Sequence, residues 1–290
     1  MQLPAAIRTA LEQQLHTSVI DFIPASGGCI NHGGAIKTQS GDAYFIKWND
    51  ARKFPGMFVA ERHGLERLAS TNTVRVPQPV HTFEHGPWQV IVMEYLSKAF
   101  PSPRYWELLG EQLADLHRHT SSSFGLDSDN YIGSLQQINT WQNSWPEFFI
   151  LNRLEVQLRL ARQRGKADGH LCKRFEKLYK LFGEIFPTEQ PALLHGDLWS
   201  GNLINDIKGD PCLIDPAVYY GHREAEVAFT QLFGGFDNRF YEAYHACFPI
   251  QPGFDERSDI YNLYPLLVHV NLFGGSYLTA VKQILDRFGC

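Results

Sequence analysis

The stretch His195-Gly196-Asp197-Leu198-Trp199-Ser200-Gly201-Asn202 decides how the rest of the chain reads. It has the form His-x-Asp-x-x-x-x-Asn, and Asp215 follows 13 residues after the Asn, at the end of the apolar run Cys212-Leu213-Ile214. Two carboxylates and one amide in this order suit phosphoryl transfer. One carboxylate accepts the proton of an attacking hydroxyl. The amide oxygen and the second carboxylate hold Mg²⁺ against phosphate oxygens. In this reading Asp197 is the proton acceptor, Asn202 and Asp215 are the metal ligands, and His195 shapes the loop. Taken alone, the octet also fits a polar turn closed by an Asn. A metal-hydrolase reading needs further His and carboxylate ligands, and no paired His motif supplies them.

Residues upstream bear on the choice. Tyr44-Phe45-Ile46-Lys47-Trp48 alternates as a strand, with Tyr44 and Ile46 on one face and Phe45 and Lys47 on the other. Further on, Phe58, Glu61, Leu65 and Leu68 fall at steps of 3, 4 and 3, which is one face of a helix. A carboxylate among apolar side chains needs a cation, and Lys47 on the strand, 14 residues before Glu61, is the obvious partner. Such a pair grips the α- and β-phosphates of a nucleotide. The alternative for Lys47 is a solvated lysine at a strand end. Glu66 lies about 140° round the helix from Glu61 and is expected in solvent. Gly27, Gly28, Gly33 and Gly34 sit between two predicted strands, where backbone N–H groups can cradle phosphates, or where a hairpin needs φ > 0. Neither GxGxxG nor a Walker loop is present. The weight lies in the order: Gly loop, strand Lys, helix Glu, connector, His-x-Asp loop, Asn, Asp.

The chain has 290 residues, 44% hydrophobic and 20% charged, which excludes a disordered, collagenous or coiled-coil protein. The net charge is −5, and with no basic excess no nucleic-acid partner is expected. No run of 18 apolar residues and no secretory signal are present, so neither membrane insertion nor export is expected. Five cysteines without a CxxC pair argue against a disulfide framework or a zinc ribbon and point to a reducing, cytoplasmic setting. The patterning predicts a helix over 4–15, strands over 19–23, 34–38 and 43–48, a helix over 55–69, and strands over 80–84 and 89–93. The Pro-rich crossing Phe100-Pro101-Ser102-Pro103 follows. Helices are then expected over 104–119, 145–164, 168–186, 222–247 and 256–288, with a β patch over 192–214. This is an α+β, two-lobe chain: a β-rich nucleotide-binding lobe over 1–96 and a mostly helical catalytic and acceptor-binding lobe over 97–290. Residues 153–180 carry nine Lys or Arg against Glu155, Asp168 and Glu176, which reads as a solvated helix face or a site for an acidic partner. Tyr261, Tyr264, Phe273 and Tyr277 read as core or as the lining of a sugar site.

The chain resembles the fructosamine kinase (ketosamine-3-kinase) family, related to aminoglycoside and choline phosphotransferases. The resemblance covers nearly the whole length. It rests on Gly27-Gly28-Cys29-Ile30-Asn31, Met57 to Leu65, Leu194 to Asn202, Ile214-Asp215-Pro216-Ala217-Val218-Tyr219-Tyr220-Gly221-His222-Arg223-Glu224 and Leu232 to Phe236. It implies a protein-kinase-like fold, dependence on ATP and Mg²⁺, and phosphorylation of a fructosamine or ribulosamine, free or on a glycated protein, at the sugar 3-hydroxyl. The unstable product then releases the amine. By position, the resemblance makes Gly27, Gly28, Cys29, Lys47 and Glu61 nucleotide-binding, and Met93, Glu94, Tyr95 and Leu96 the adenine-facing connector. Asp197 is again the proton acceptor, with Asn202 and Asp215 on the metal. A kinase for another hydroxylated amine and a non-catalytic nucleotide-binding regulator are the alternatives.

Two departures stand out. Glu226 in Arg223-Glu224-Ala225-Glu226 replaces the usual Asp, which puts fine positioning of the catalytic loop in question. Asp215 is followed by Pro216 rather than Phe-Gly, which argues against a protein-kinase activation switch. Cys29, a thiol in a phosphate-binding loop, also allows redox control or a dimer linked through that residue.

Overall fold

The computed structural model describes residues 2–25, 30–97 and 99–290. The chain forms two compact units, one of Met1–Tyr105 with Leu203–Pro216, the other of Trp106–Asn202 with Ala217–Cys290. Leu203–Pro216 therefore clusters with the N-terminal residues, although it follows residue 97 in the chain.

The first unit is built on five antiparallel strands, β1 (Val19–Pro24), β2 (His32–Thr38), β3 (Ala43–Asp50), β4 (Pro79–His85) and β5 (Trp88–Glu94), in the order β1-β2-β3-β5-β4. Its core joins Ile7 and Leu11 of helix α1 (Ala5–Leu15) to Val19, Ile36, Ile46, Trp48, Val90 and Val92 of the sheet. Alternation along β3 gives Ile46 and Trp48 to this core and turns Lys47 and Asn49 to the opposite face. Helix α2 (Met57–Ser70) packs there, burying Phe58, Leu65 and Leu68 as the spacing predicts. Glu66 is exposed and pairs with Arg62 at 2.7 Å. Buried Gln89 and Asn49 satisfy each other and the start of α2: Gln89 Nε2 donates to Asn49 Oδ1 (2.6 Å), and Phe58 N donates to Gln89 Oε1 (3.3 Å).

The second unit is mostly helical. The expected helix over 145–164 is three segments, α Trp145–Phe148, π Phe149–Leu154 and α Glu155–Gln163. The expected helices over 222–247 and 256–288 are each two, divided at Gly234-Gly235 and Gly274-Gly275, all four with positive φ that stops a right-handed helix. The pair of strands Asn130–Ile132 and Leu135–Gln137 was not expected. The β patch over 192–214 is two separate pairings, Ala192–Leu194 with Tyr219–Gly221, and Leu203–Asn205 with Pro211–Leu213.

Part of the basic run is internal. Arg153 is fully buried against the rings of Phe148 and Tyr219, at 4.5 and 4.0 Å from guanidinium carbon to centroid. Arg164 and Lys166 donate to Asn271 O and Val270 O, completing the last turn of helix Phe254–Phe273. Among the described residues no helix is long and apolar enough to cross a membrane.

Candidate active site

The first unit brings together three of the expected charges. Lys47 Nζ lies 2.7 Å from Glu61 Oε1 and also bonds Asp215 Oδ1. The side chains of Lys47 and Glu61 are each 10% exposed and that of Asp215 47%, so one end of the trio opens to solvent. Burial opposes charge on Lys47, but Asp215 and Glu61 outweigh it and hold the ammonium above its ordinary range. Lys47 is thus a paired cation, not a solvated strand end. Asp215 has φ 57°, a left-handed conformation that Asp tolerates better than most residues. The strand before it is tied down where Leu213 N donates to Arg75 O (2.8 Å).

The connector residues leave the same sheet. Met93 is buried and pairs with Phe45 of β3, Tyr95 is 41% exposed, and Leu96 is half-buried. Glu94 is committed elsewhere: its carboxylate pairs with Arg75 and accepts from Gln78 N (3.2 Å). Gly27, Gly28 and Cys29 lie outside the described residues.

The second unit holds the loop that carries Asp197. Strand Ala192–Leu194 pairs with Tyr219–Gly221, and Ala217 N donates to His195 O (2.9 Å), so the two segments run close together. That approach requires Gly196: its φ is 85°, and a Cβ there would lie 2.0 Å from Ala217 O. Asn202 is buried and donates Nδ2 to both Asp197 O (2.8 Å) and Asp197 Oδ2 (2.9 Å). Those bonds aim Oδ1 away from Asp197 as an oxygen donor. By donor chemistry, the amide oxygen of Asn202 and the carboxylate of Asp215 are each of the hard type that Mg²⁺ prefers. Among the described residues no cluster of three His, Cys, Asp or Glu forms an all-protein metal cage.

Glu226 is the feature that the sequence left open. It is buried, and its two oxygens accept from the loop's own backbone: His195 N to Oε2 at 3.1 Å and Gly196 N to Oε1 at 2.6 Å. His117 Nε2 lies 3.0 Å from Oε2, and His117 Nδ1 lies 2.8 Å from the Tyr244 hydroxyl. Burial alone would push the Glu226 carboxyl up, but His117, His195 and the Gly196 N–H together hold it below the ordinary carboxylate range. The longer Glu side chain therefore reaches both loop amides. Its neighbour Glu224 is a different device, a buried partner gripped by Nε and Nη2 of Arg257, each at 2.6 Å.

A family model described as fructosamine kinase matches residues 3–288.

The chain belongs to the fructosamine kinase family.

A relative from Synechocystis named a probable ketoamine kinase is 42% identical, with 90% of this chain and 88% of that protein covered. A chloroplastic protein-ribulosamine 3-kinase of Oryza sativa subsp. indica is 39% identical, with 94% and 80% covered. Among solved structures, a chain from Thermobifida fusca assigned to the fructosamine-3-kinases is 31% identical with a TM-score of 0.87, covering 97% of this chain and 98% of that one. An amicoumacin kinase in complex with AMP-PNP and Ca²⁺ shares the fold at 12% identity and a TM-score of 0.62, covering 96% and 91%. The fold is thus that of the protein-kinase-like phosphotransferases, and the chain is a phosphotransferase acting on a hydroxyl group.

Around Asp197, the second unit has a cleft lined by Tyr219, Glu226, Phe229, Tyr261, Tyr264 and His269, among others. Of the late aromatic run, Tyr261 and Tyr264 are both buried and line the cleft. Phe273 is 59% exposed, and Tyr277 packs on His269 instead. Sequence reading missed His117, Phe229 and His269. The one available signal for His117 was a histidine one turn after Leu113 on an apolar helix face. The comparisons give no support to a dimer through Cys29.

Proposed function

We propose that the chain transfers the γ-phosphoryl group of ATP to the 3-hydroxyl of a ketosamine, a fructosamine or ribulosamine, free or on a glycated protein. The observation that carries this reading is the Asp197 carboxylate, fixed by Asn202 and lining a cleft of its own unit. In that position it takes the proton of the acceptor hydroxyl as the oxygen attacks phosphorus. Lys47, oriented by Glu61, holds the nucleotide phosphates. Asn202 and Asp215 would each offer an oxygen ligand to Mg²⁺, whose charge would neutralise that of the phosphates. Catalysis is then mostly positioning and electrostatics. A reducing compartment such as the cytoplasm suits Cys172, Cys212, Cys247 and Cys290, all free thiols.

ATP consumption with Mg²⁺ tests the reading on a ribulosamine, a fructosamine, an aminoglycoside and choline. Turnover is expected on the ketosamines alone. In Asp197→Ala it falls by about 10²–10⁴-fold, the usual contribution of a positioned base, with nucleotide binding retained. Near-normal turnover in that variant, or activity confined to another acceptor, overturns the assignment.

A further inference from the structure

One wall of the Asp197 cleft is not used by the chemistry above. Helix Phe254–Phe273 supplies it, including Tyr264, Val268 and His269. His269 Nδ1 lies 2.8 Å from the carbonyl oxygen of Pro265 on the same helix. A carbonyl only accepts, so Nδ1 carries the hydrogen and Nε2, across the ring, presents a lone pair. Burial outweighs the Pro265 bond and holds the imidazole below its ordinary pKa, so the ring is neutral near pH 7. Phe233, Tyr277 and Phe273 pack round it with centroids at 4.6, 5.0 and 5.5 Å. Ring packing fixes the imidazole without using its lone pair. No protein donor bonds Nε2 among the described residues. The cleft lining has carboxylates in Asp197 and Glu226 but no Lys or Arg. A neutral acceptor held in the lining of such a cleft matches a ligand rich in O–H donors.

We propose that His269 is a specificity-determining residue of the acceptor cleft, accepting through Nε2 a hydrogen bond from a hydroxyl of the substrate's sugar chain. The proposal rests on the ketosamine reading. A site built to bond a hydroxyl discriminates strongly against ligands lacking it, because the buried partner is then left unpaired. His269 touches no reacting atom in this scheme, so its effect falls on acceptor binding.

Steady-state kinetics at saturating Mg-ATP compare the wild type with His269→Leu, His269→Gln and Tyr277→Phe. His269→Leu raises KM for the ketosamine about tenfold, the scale of one lost hydrogen bond, and leaves KM for ATP within about twofold. His269→Gln restores an acceptor oxygen and recovers most of that loss. Tyr277→Phe keeps the ring against His269 and stays near wild type. Equal acceptor KM in wild type and His269→Leu overturns the proposal. So does the same rise in the Leu and Gln variants, or a parallel rise in KM for ATP, which marks general distortion. Nucleotide-induced thermal shifts establish that each variant folds. If the Leu variant does not, His269→Phe against His269→Gln makes the same contrast. The wild type tests the ketosamine reading separately. If it turns over only another acceptor, that reading fails, and the same variants measured on that acceptor decide the role of His269.

Discussion

The two units hold their reactive carboxylates in opposite ways. In the first, Lys47 answers Glu61 and Asp215 directly, charge against charge, with Asp215 still half open to solvent. In the second, Asp197 is held by an uncharged amide, and the loop around it by backbone N–H groups that a buried Glu226 collects. In the proposed function the first arrangement is an ion pair that a phosphate or a metal can enter. The second orients Asp197 through the neutral Asn202 amide, the geometry that the proposed role as proton acceptor uses. Phosphate gripping and proton acceptance thus call for different surroundings of the same side-chain type.

The comparison breaks most visibly at Lys47. Lys47→Met removes the cation shared by two carboxylates, and turnover is expected to fall by about 10²–10³-fold with weakened nucleotide binding. Titration with a non-hydrolysable ATP analogue separates the two effects, and unchanged nucleotide affinity would contradict the assigned grip.

Glu226→Gln sharpens the other side. The amide keeps the size but offers a single oxygen where the carboxylate accepts from two loop N–H groups and faces His117. Turnover is expected to fall about tenfold, with KM for ATP unchanged, on the scale of one charge-assisted hydrogen bond. The sign of its pH dependence follows from its depressed pKa. The folded state binds this proton less readily than the unfolded chain does. The stabilisation is therefore present above the ordinary Glu pKa and lost as pH falls through the lower, folded value. Denaturant midpoints of the wild type should fall across that acid window more steeply than those of Glu226→Gln; parallel curves would remove Glu226 as the cause.

The smallest effect is expected at the exposed pair Arg62–Glu66, one turn along from Glu61 on the same helix. Arg62→Ala should change stability by no more than about 0.5 kcal/mol, as solvent-facing i,i+4 pairs do. Chemical denaturation measures it, and a change of several kcal/mol would mean that α2 depends on its outer face.

Much of this site was legible because its signals are local. Lys47 reads from strand alternation, and Glu61 from a carboxylate on an apolar helix face. The Asp197 loop reads from one octet. Glu226 was seen only as a departure, because its partners His195 and Gly196 lie 31 and 30 residues away in sequence and the contact is made to backbone, which leaves no side-chain signature. Helices are expected to continue across Gly234-Gly235 and Gly274-Gly275, and only the positive φ of these glycines in the fold shows the stop. The basic run over 153–180 misled for a related reason: charge counts do not show that Arg153 is buried under aromatic rings or that Arg164 and Lys166 complete a distant helix end.

The sequence by itself singled out the side chains proposed to carry the chemistry, because phosphoryl transfer admits few residue types and their order along the chain is constrained. Tertiary structure alone decided what surrounds them: two carboxylates sharing Lys47, Glu226 holding the loop amides, and a neutral His269 in the wall of the cleft. The physical reason is range. Alternation and helical period report which neighbour shares a face, but desolvation, tautomer and hydrogen-bond partner depend on groups that the chain brings together only by folding.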